Sequence, residues 1–573
     1  MVKNTTYLIL LSIIFTSCAS KKYLMEDVKN FKKENHLSTS KNFMITSQGH
    51  YSSKAAKEVI DKGGNIIDAM AAISFVISVE RPQSTGIGGG GFLLFYEKKT
   101  DTVHAFDFRE KAPLRSDSKM YLDKSGNEID RKSLDGIFAV GVPGLVKGVL
   151  EIHKKYGKLK RADVLKSAID LARNGMPVYE ELRRALKGRE KVLCKYESSK
   201  KIFCPNGELL KEGEVLKQND LANTLERISK FGEKDFYHGE TMRKIVSTSK
   251  KYKGLLTRKD FRKYNVVNRK PISGTYKNLK IYSMSPPSSG GVHIIQILNI
   301  LENTNLKKNG PYHPKSIHYV SSAMEMAFAD RAAYLGDSDF VKVPLKGLTS
   351  KKYAKTLFDK IKENEAFKKE EISKGDAPAY ESDHTTHFTI MDKVGNTVVS
   401  TQTINGWFGS GLVAEGTGIV LNNEMDDFST KPGAMNLFGA VGSKQNLVAP
   451  EKRPLSSMSP TIVFKDGEVK LGVGTPSGTR ILTCVMQTIL NYFEYEKPLY
   501  EAVAMARYHH QWRPHQIRFD EASLSSSVVS ELEEMEHKVK FKNLGCRIQA
   551  VAKEGDVITG VSDPRGEGKA LGF

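Results

Sequence analysis

Between Asp383 and Asn405 the chain reads DHTTHFTIMDKVGNTVVSTQTIN, and the alternation along it leaves little choice of local fold. Thr386, Phe388 and Ile390 fall on one face of an extended segment, and Thr385, His387 and Thr389 on the other, the period of two of a β-strand. Val398, Ser400 and Gln402 then alternate with Val399, Thr401 and Thr403 in a second arm. DKVGN, Asp392 to Asn396, supplies turn formers between them, so the segment is expected to be a β-hairpin. Symmetry about Val394 would set Thr385 opposite Thr403, one hydroxyl beside another.

A threonine hydroxyl is a poor nucleophile until a base removes its proton. A chain without an obvious Ser/His/Asp set can use the nucleophile's own α-amine, which exists only if the chain is cut just before it. Thr386 is a rival nucleophile by position. His384 and His387 have HxxH spacing, but on a strand that spacing places them on opposite faces, so no metal site is expected there.

The 573 residues, 39% hydrophobic and 27% charged, describe a globular chain with a large core. Helical apolar spacing predicts helices over Ala55–Lys62, Ile66–Val79, Gly144–Tyr156, Ala162–Asn174 and Asn219–Phe231. Strand-like VHAFDF, KIYSM, HFTIM, TVVSTQT and TIVFKDGEVKLGVG alternate with them, which points to a layered α/β (α+β) sandwich. GIGGGGF satisfies GxGxxG at Gly86, Gly88 and Gly91, yet a helix precedes it and a strand follows, the reverse of a dinucleotide fingerprint. A tight helix-to-strand passage is expected there, and no cofactor.

The formal charge of +21 comes from scattered lysines without interleaved aromatics, so a solvated surface is expected rather than a nucleic-acid partner. The start, MVKNTTYLILLSIIFTSCAS, has a basic residue, a short apolar run and small residues, which predicts a signal peptide over residues 1–17. Phe15 to Cys18 is similar to a bacterial lipobox, which would make Cys18 lipidated, with a linker over residues 18–40 and a place in the cell envelope, periplasmic or surface. Cys194 and Cys204 are expected to form a local disulfide. Cys484 reads as a small buried hydrophobe, and Cys546 has no assigned partner.

The segments PQSTGIGGGGF, FDFREKAP, SPPSSGGVH, TTHFT, NNEMDDF, RPLSSMSPT, PSGTR and HHQW occur in this order along the chain. In them the chain resembles the gamma-glutamyltranspeptidases, also called glutathione hydrolases, over about residues 40 to 573. These are N-terminal nucleophile hydrolases. The resemblance implies a four-layer αββα sandwich and a precursor cut between His384 and Thr385 into a large subunit (41–384) and a small catalytic one (385–573). Its partners would be glutathione and related gamma-glutamyl compounds, with amino acids or dipeptides as acceptors, and no metal.

The same resemblance implies residue roles. Thr385 would be the nucleophile and Thr403 its orienting hydroxyl. Arg109, Ser456 and Ser457 would hold the substrate α-carboxylate, and Asn405, Glu424 and Asp427 its ammonium, with Asp426 set back. Successive amides of Ser477 and Gly478 would form the oxyanion hole, Ser477 standing where relatives carry glycine. Phe438 would be the aromatic of a lid, and His509 and His510 structural. A related glutaryl or cephalosporin acylase would not need the ammonium acceptors, a poly-gamma-glutamate transferase would need an open groove, and a non-catalytic surface lipoprotein would need none of these residues.

Overall fold

The computed structural model describes residues 36–368, 371, 385–520 and 524–573. Cys18 and His384 lie outside them.

Fourteen strands build two antiparallel sheets: β1 (Leu37–Ser40), β2 (Phe43–Ser47), β3 (Gly90–Glu97), β4 (Thr102–Asp107), β5 (Val267–Arg269), β6 (Ile272–Tyr276) and β7 (Leu279–Ser283), then β8 (Thr386–Asp392), β9 (Thr397–Thr403), β10 (Thr461–Lys465), β11 (Glu468–Gly474), β12 (Gln549–Glu554), β13 (Val557–Ser562) and β14 (Lys569–Gly572). One sheet runs β14-β2-β8-β9-β3-β4-β5 and the other β1-β13-β12-β11-β10-β7-β6. Strand β1 falls inside the stretch expected to be a linker, a correction that follows from its pairing with β13 near the far end of the chain.

The expected hairpin is β8–β9, at the centre of the first sheet. Thr386 pairs with Gln402 and Phe388 with Ser400, the register symmetric about Val394. Phe388, Ile390 and Val398 face a helical layer of α1 (His50–Asp61), α2 (Ile66–Glu80), α3 (Leu145–Tyr156) and α4 (Arg161–Asn174). His387 and Thr389 face the second sheet, which approaches closely at glycines: a Cβ on Gly474 would overlap the His387 ring, and one on Gly472 would press on Thr389. Helices α5 (Gly290–Leu301), α6 (Pro314–Tyr334) and α7 (Arg480–Ile489) cover the second sheet's outer face. The four layers are therefore helix, sheet, sheet, helix.

Helix α2 is buried along its whole length, as expected of a helix apolar on every side. Asn65 and Asp68 close its N-terminus with a capping box. Helix α1 starts at His50 rather than Ala55. Its first amides, Tyr51 and Ser52, donate to the Glu80 carboxylate at 2.8 and 2.9 Å, a cap supplied by the end of the next helix.

Cys194 and Cys204 are bonded. Cys484 also forms a disulfide, with Cys546, which corrects its expected role as a free apolar side chain. The bond ties α7 to the segment leading into β12. Among the described residues no helix is long and apolar enough to cross a membrane.

Candidate active site

Thr385 is the residue before β8 and Thr403 the last of β9, so the hairpin register brings them together. Thr385 Oγ1 donates to Thr403 Oγ1 at 3.4 Å, and Thr403 Oγ1 also accepts the Asn405 N–H at 2.8 Å. Asn405 can do this because the chain turns sharply there, at φ 70°. The glycine passage 86–91 makes room behind: a Cβ on Gly89 would lie 2.0 Å from the Thr403 carbonyl oxygen. Thr386 is buried and lines neither of the cavities that Thr385 borders.

Thr385 and Thr403 border a cavity of about 20 Å³ with Arg109, Arg331, Asn405, Glu424, Asp427, Phe438, Ser456, Ser457 and Gly478. Arg109, just past β4, is 1% exposed. Its Nη1 is bonded to Glu424 Oε1, its Nη2 donates to Asp427 Oδ2 at 2.5 Å, and its Nε donates to the Pro454 carbonyl. The neighbouring Asp107 instead takes Arg269 and Arg453. The arginine expected to grip a carboxylate thus already bridges the two carboxylates expected to hold an ammonium. Such a set matches a zwitterion, which can enter by exchange: its carboxylate replaces Glu424 and Asp427 on Arg109, and its ammonium replaces Arg109 on them.

Burial pushes Glu424 up to about 8 even beside Arg109, and it raises Asp427 too. Glu110, wholly buried next to Glu424, is raised well above the usual carboxylate range by burial and by Glu424. Asn405 donates Nδ2 to the Asn423 carbonyl, leaving Oδ1 as its acceptor. Ser456 Oγ accepts the Met458 N–H, and Ser457 Oγ stands 3.5 Å from Ser289 Oγ.

Ser477 adopts φ 114° and Gly478 φ 55°, conformations that favour glycine. The serine is held there by its hydroxyl, which donates to the Leu544 carbonyl at 2.6 Å. The Phe438 ring lies on Gly478, where a Cβ would meet it at 2.2 Å. Asp426 does not line the cavity. It accepts Ser133 Oγ and the Leu437 N–H, while Asp427 accepts Asn436 Nδ2, so the acidic turn also anchors the loop that carries Phe438. Burial pushes Asp426 up to about 7.

Three contributors had no role assigned from sequence. Glu110 sits inside the FREKAP motif, a signal within reach. Gln511, in HHQW, accepts Thr479 Oγ1 and donates to the Phe438 and Gly439 carbonyls, clipping the lid loop to the turn before α7. Arg331 lies on α6 and donates Nε to Ser289 Oγ. Burial lowers it to about 10, so it stays a cation, and only its charge within a mostly buried helix marked it.

His387 is pushed down to about 3 by burial and bonded to Thr401 and Thr389. His509 is bonded to Thr483 and Gln511. Elsewhere, Glu325, His510 and His515 hold ligand-type atoms within 4.8 Å of one another. His510 Nδ1 accepts the Trp512 N–H, which leaves the proton on Nε2. His515 is raised by its bond to Glu325. Glu325 Oε1 and His515 Nε2 stand 3.1 Å apart, an ion pair when the histidine is protonated.

The gamma-glutamyltranspeptidase family model matches residues 52–573. The chain belongs to the gamma-glutamyltranspeptidase family. It is 44% identical over 534 residues to the glutathione hydrolase proenzyme of Escherichia coli strain K12, covering 92% of this chain and 91% of that one. The glutathione hydrolase proenzyme of Bacillus subtilis strain 168 is 35% identical, over 95% and 94%. Among solved structures, Helicobacter pylori gamma-glutamyltranspeptidase aligns with a TM-score of 0.56 at 42% identity, over 59% of this chain and 96% of that one. A cephalosporin acylase from Bacillus halodurans aligns with a TM-score of 0.81 at 23% identity, over 94% and 97%, which is likeness of fold. For a gamma-glutamyltranspeptidase, the αββα layers and the central hairpin are the frame on which a precursor is cut into two subunits.

Proposed function

We propose that this transpeptidase and glutathione hydrolase matures by cutting itself between His384 and Thr385, then uses Thr385 to take gamma-glutamyl groups from glutathione and related amides. The observation that carries the reading is the shared cavity, in which the Thr385–Thr403 hydroxyl pair stands beside charges of both signs suited to an amino acid.

In maturation, Thr385 Oγ attacks the His384 carbonyl, the acyl group moves from nitrogen to oxygen, and water cleaves the ester. The products are a large piece ending in the His384 carboxylate and a small one beginning with the Thr385 α-amine. That amine, with an ordinary pKa of roughly 8, takes the proton from Oγ while Thr403 holds the hydroxyl. Oγ then attacks the γ-carbonyl. The oxyanion is met by the amides at Ser477 and Gly478, each such donor being worth about 3 kcal/mol of barrier.

The amine leaves with a proton from the Thr385 ammonium, and water or an acceptor amine resolves the ester. Arg109, Ser456 and Ser457 hold the α-carboxylate, and Asn405, Glu424 and Asp427 the ammonium. A cavity of 20 Å³ is about the size for water, so entry requires the Arg109 pairs to exchange or the Phe438 loop to move.

The division at 384/385, a signal peptide over residues 1–17, a lipid on Cys18 and residence in the cell envelope belong to the same reading. Mass spectrometry of the purified protein tests it. A small piece starting at Thr385 is expected, and any other start overturns the mechanism. Loss of gamma-glutamyl anilide hydrolysis in Thr385→Ala is expected with it.

A further inference from the structure

Glu325, on α6, stands with His510, inside HHQW, and His515, three residues beyond that motif, so that one ligand-type atom of each lies within 4.8 Å of the others. None of the three lines a cavity that Thr385 borders, and none has a part in the chemistry there. Glu325 and His510 are 4% and 2% exposed, and Glu325 Oε1 and His515 Nε2 are themselves shut off from water. A buried carboxylate between two imidazoles is costly to keep without a cation. Of the other charged groups that reach it, Arg513 and Glu371 act with opposite signs.

The spacing is that of a metal site. His515 Nε2 is 3.1 Å from Glu325 Oε1, and His510 Nε2 is 3.8 Å from Glu325 Oε2. A tetrahedral zinc ion with bonds of about 2.0–2.2 Å separates its ligand atoms by about 3.3–3.6 Å, between those two distances. The 3.8 Å contact is too long for a hydrogen bond, so nothing but an ion closes the His510 side of the group. The Phe367 carbonyl accepts from the His515 ring, the outer contact by which metal-ligating histidines are held in place. His537 Nε2 lies 2.8 Å from His318 Nδ1, which keeps it out of the set and leaves a fourth position for water.

We infer that Glu325, His510 and His515 bind one divalent ion of the zinc class, through a set of two imidazoles and a carboxylate. On binding, His515 gives up any proton on Nε2 to solvent, and the His510 ring proton moves to Nδ1 at the expense of its 3.2 Å contact with the Trp512 amide. Glu325 precedes residue 384 and both histidines follow residue 385, so the ion links the two pieces of the cut proposed above, as neither disulfide does. That link rests on the proposed cut; the binding of the ion does not.

The test uses the purified, untagged protein, stripped with a chelator, and Zn²⁺ alone as the probe. Dialysis against buffered Zn²⁺ and elemental mass spectrometry are expected to return about one zinc per protein. Zinc should also raise the midpoint of thermal unfolding by several degrees, reversibly with chelator. Glu325→Gln and His515→Asn, each close in shape to the residue it replaces, should lower the bound zinc roughly tenfold or more, with zinc-free midpoints near that of the stripped wild type. The Thr385→Ala protein should bind as much as wild type, which separates a failure of the cut from a failure of the site. Zinc below about a tenth per wild-type protein, or zinc undiminished in either ligand variant, overturns the inference.

Discussion

On one side of Thr385 a cavity of about 20 Å³ matches Arg109 and Arg331 against Glu424 and Asp427; on the other, a chamber of about 270 Å³ sets four cations against Glu181. The first is buried, internally paired and covered by Phe438. The second is roomier and rimmed by exposed Arg184 and Lys542. Thr385 is the residue that lines both.

The largest effect should come from the residue common to both sides. Thr385→Ala is expected to leave the precursor uncut and to abolish turnover, read by gel and by anilide hydrolysis. Residual activity above about a thousandth of wild type would show that Thr385 does not divide the two rooms.

Arg109→Ala should act on the paired side alone. It leaves Glu424 and Asp427 buried without their partner, which is expected to cost about 3–5 kcal/mol of stability, measured by denaturant unfolding. It should also slow hydrolysis of gamma-glutamyl-4-nitroanilide, and an unchanged rate would mean that Arg109 does not hold the donor.

Asp426 gives the paired side a pH signature. Its carboxyl is pushed up to about 7 by burial, so between about pH 4 and 7 the folded protein keeps a proton that the unfolded chain has lost. Its contribution to stability therefore falls as pH rises through that window, by about 4 kcal/mol. Asp426→Asn, which can still accept from Leu437, should flatten this part of the stability–pH curve. The smallest effect should be at the seam. Ser477→Gly relieves a backbone angle worth about 1–3 kcal/mol but loses the bond to Leu544, worth about 1 kcal/mol. The melting point should rise slightly or hold, and a fall of several degrees would show that the hydroxyl anchor outweighs the strain.

Much of this was legible in the chain. The hairpin register followed from alternation and a symmetric loop because both are local, and α2 and α4 followed from apolar spacing to within a residue. What sequence spacing cannot carry is pairing across the fold. The early start of α1 depends on Glu80, and the Arg109 pairs join residues 315 and 318 positions apart. Cys484 sits in an apolar run that disguises its bond to Cys546 62 residues on. The larger cavity beside Thr385 draws its walls from seven separate stretches, from Gln48 to Arg547, no one of which is a motif.

The strand order has a consequence for the cut protein. β8 and β9 stand between β2 and β3, and β14 closes the other edge of β2, so the C-terminal piece is woven through the N-terminal one. Both disulfides among the described residues close on one side of the proposed 384/385 cut, Cys194–Cys204 before it and Cys484–Cys546 after it. A reductant should therefore leave the two polypeptides associated, and only unfolding should part them. Pieces made separately could not dock as finished halves: each would have to complete the centre of the other's sheet.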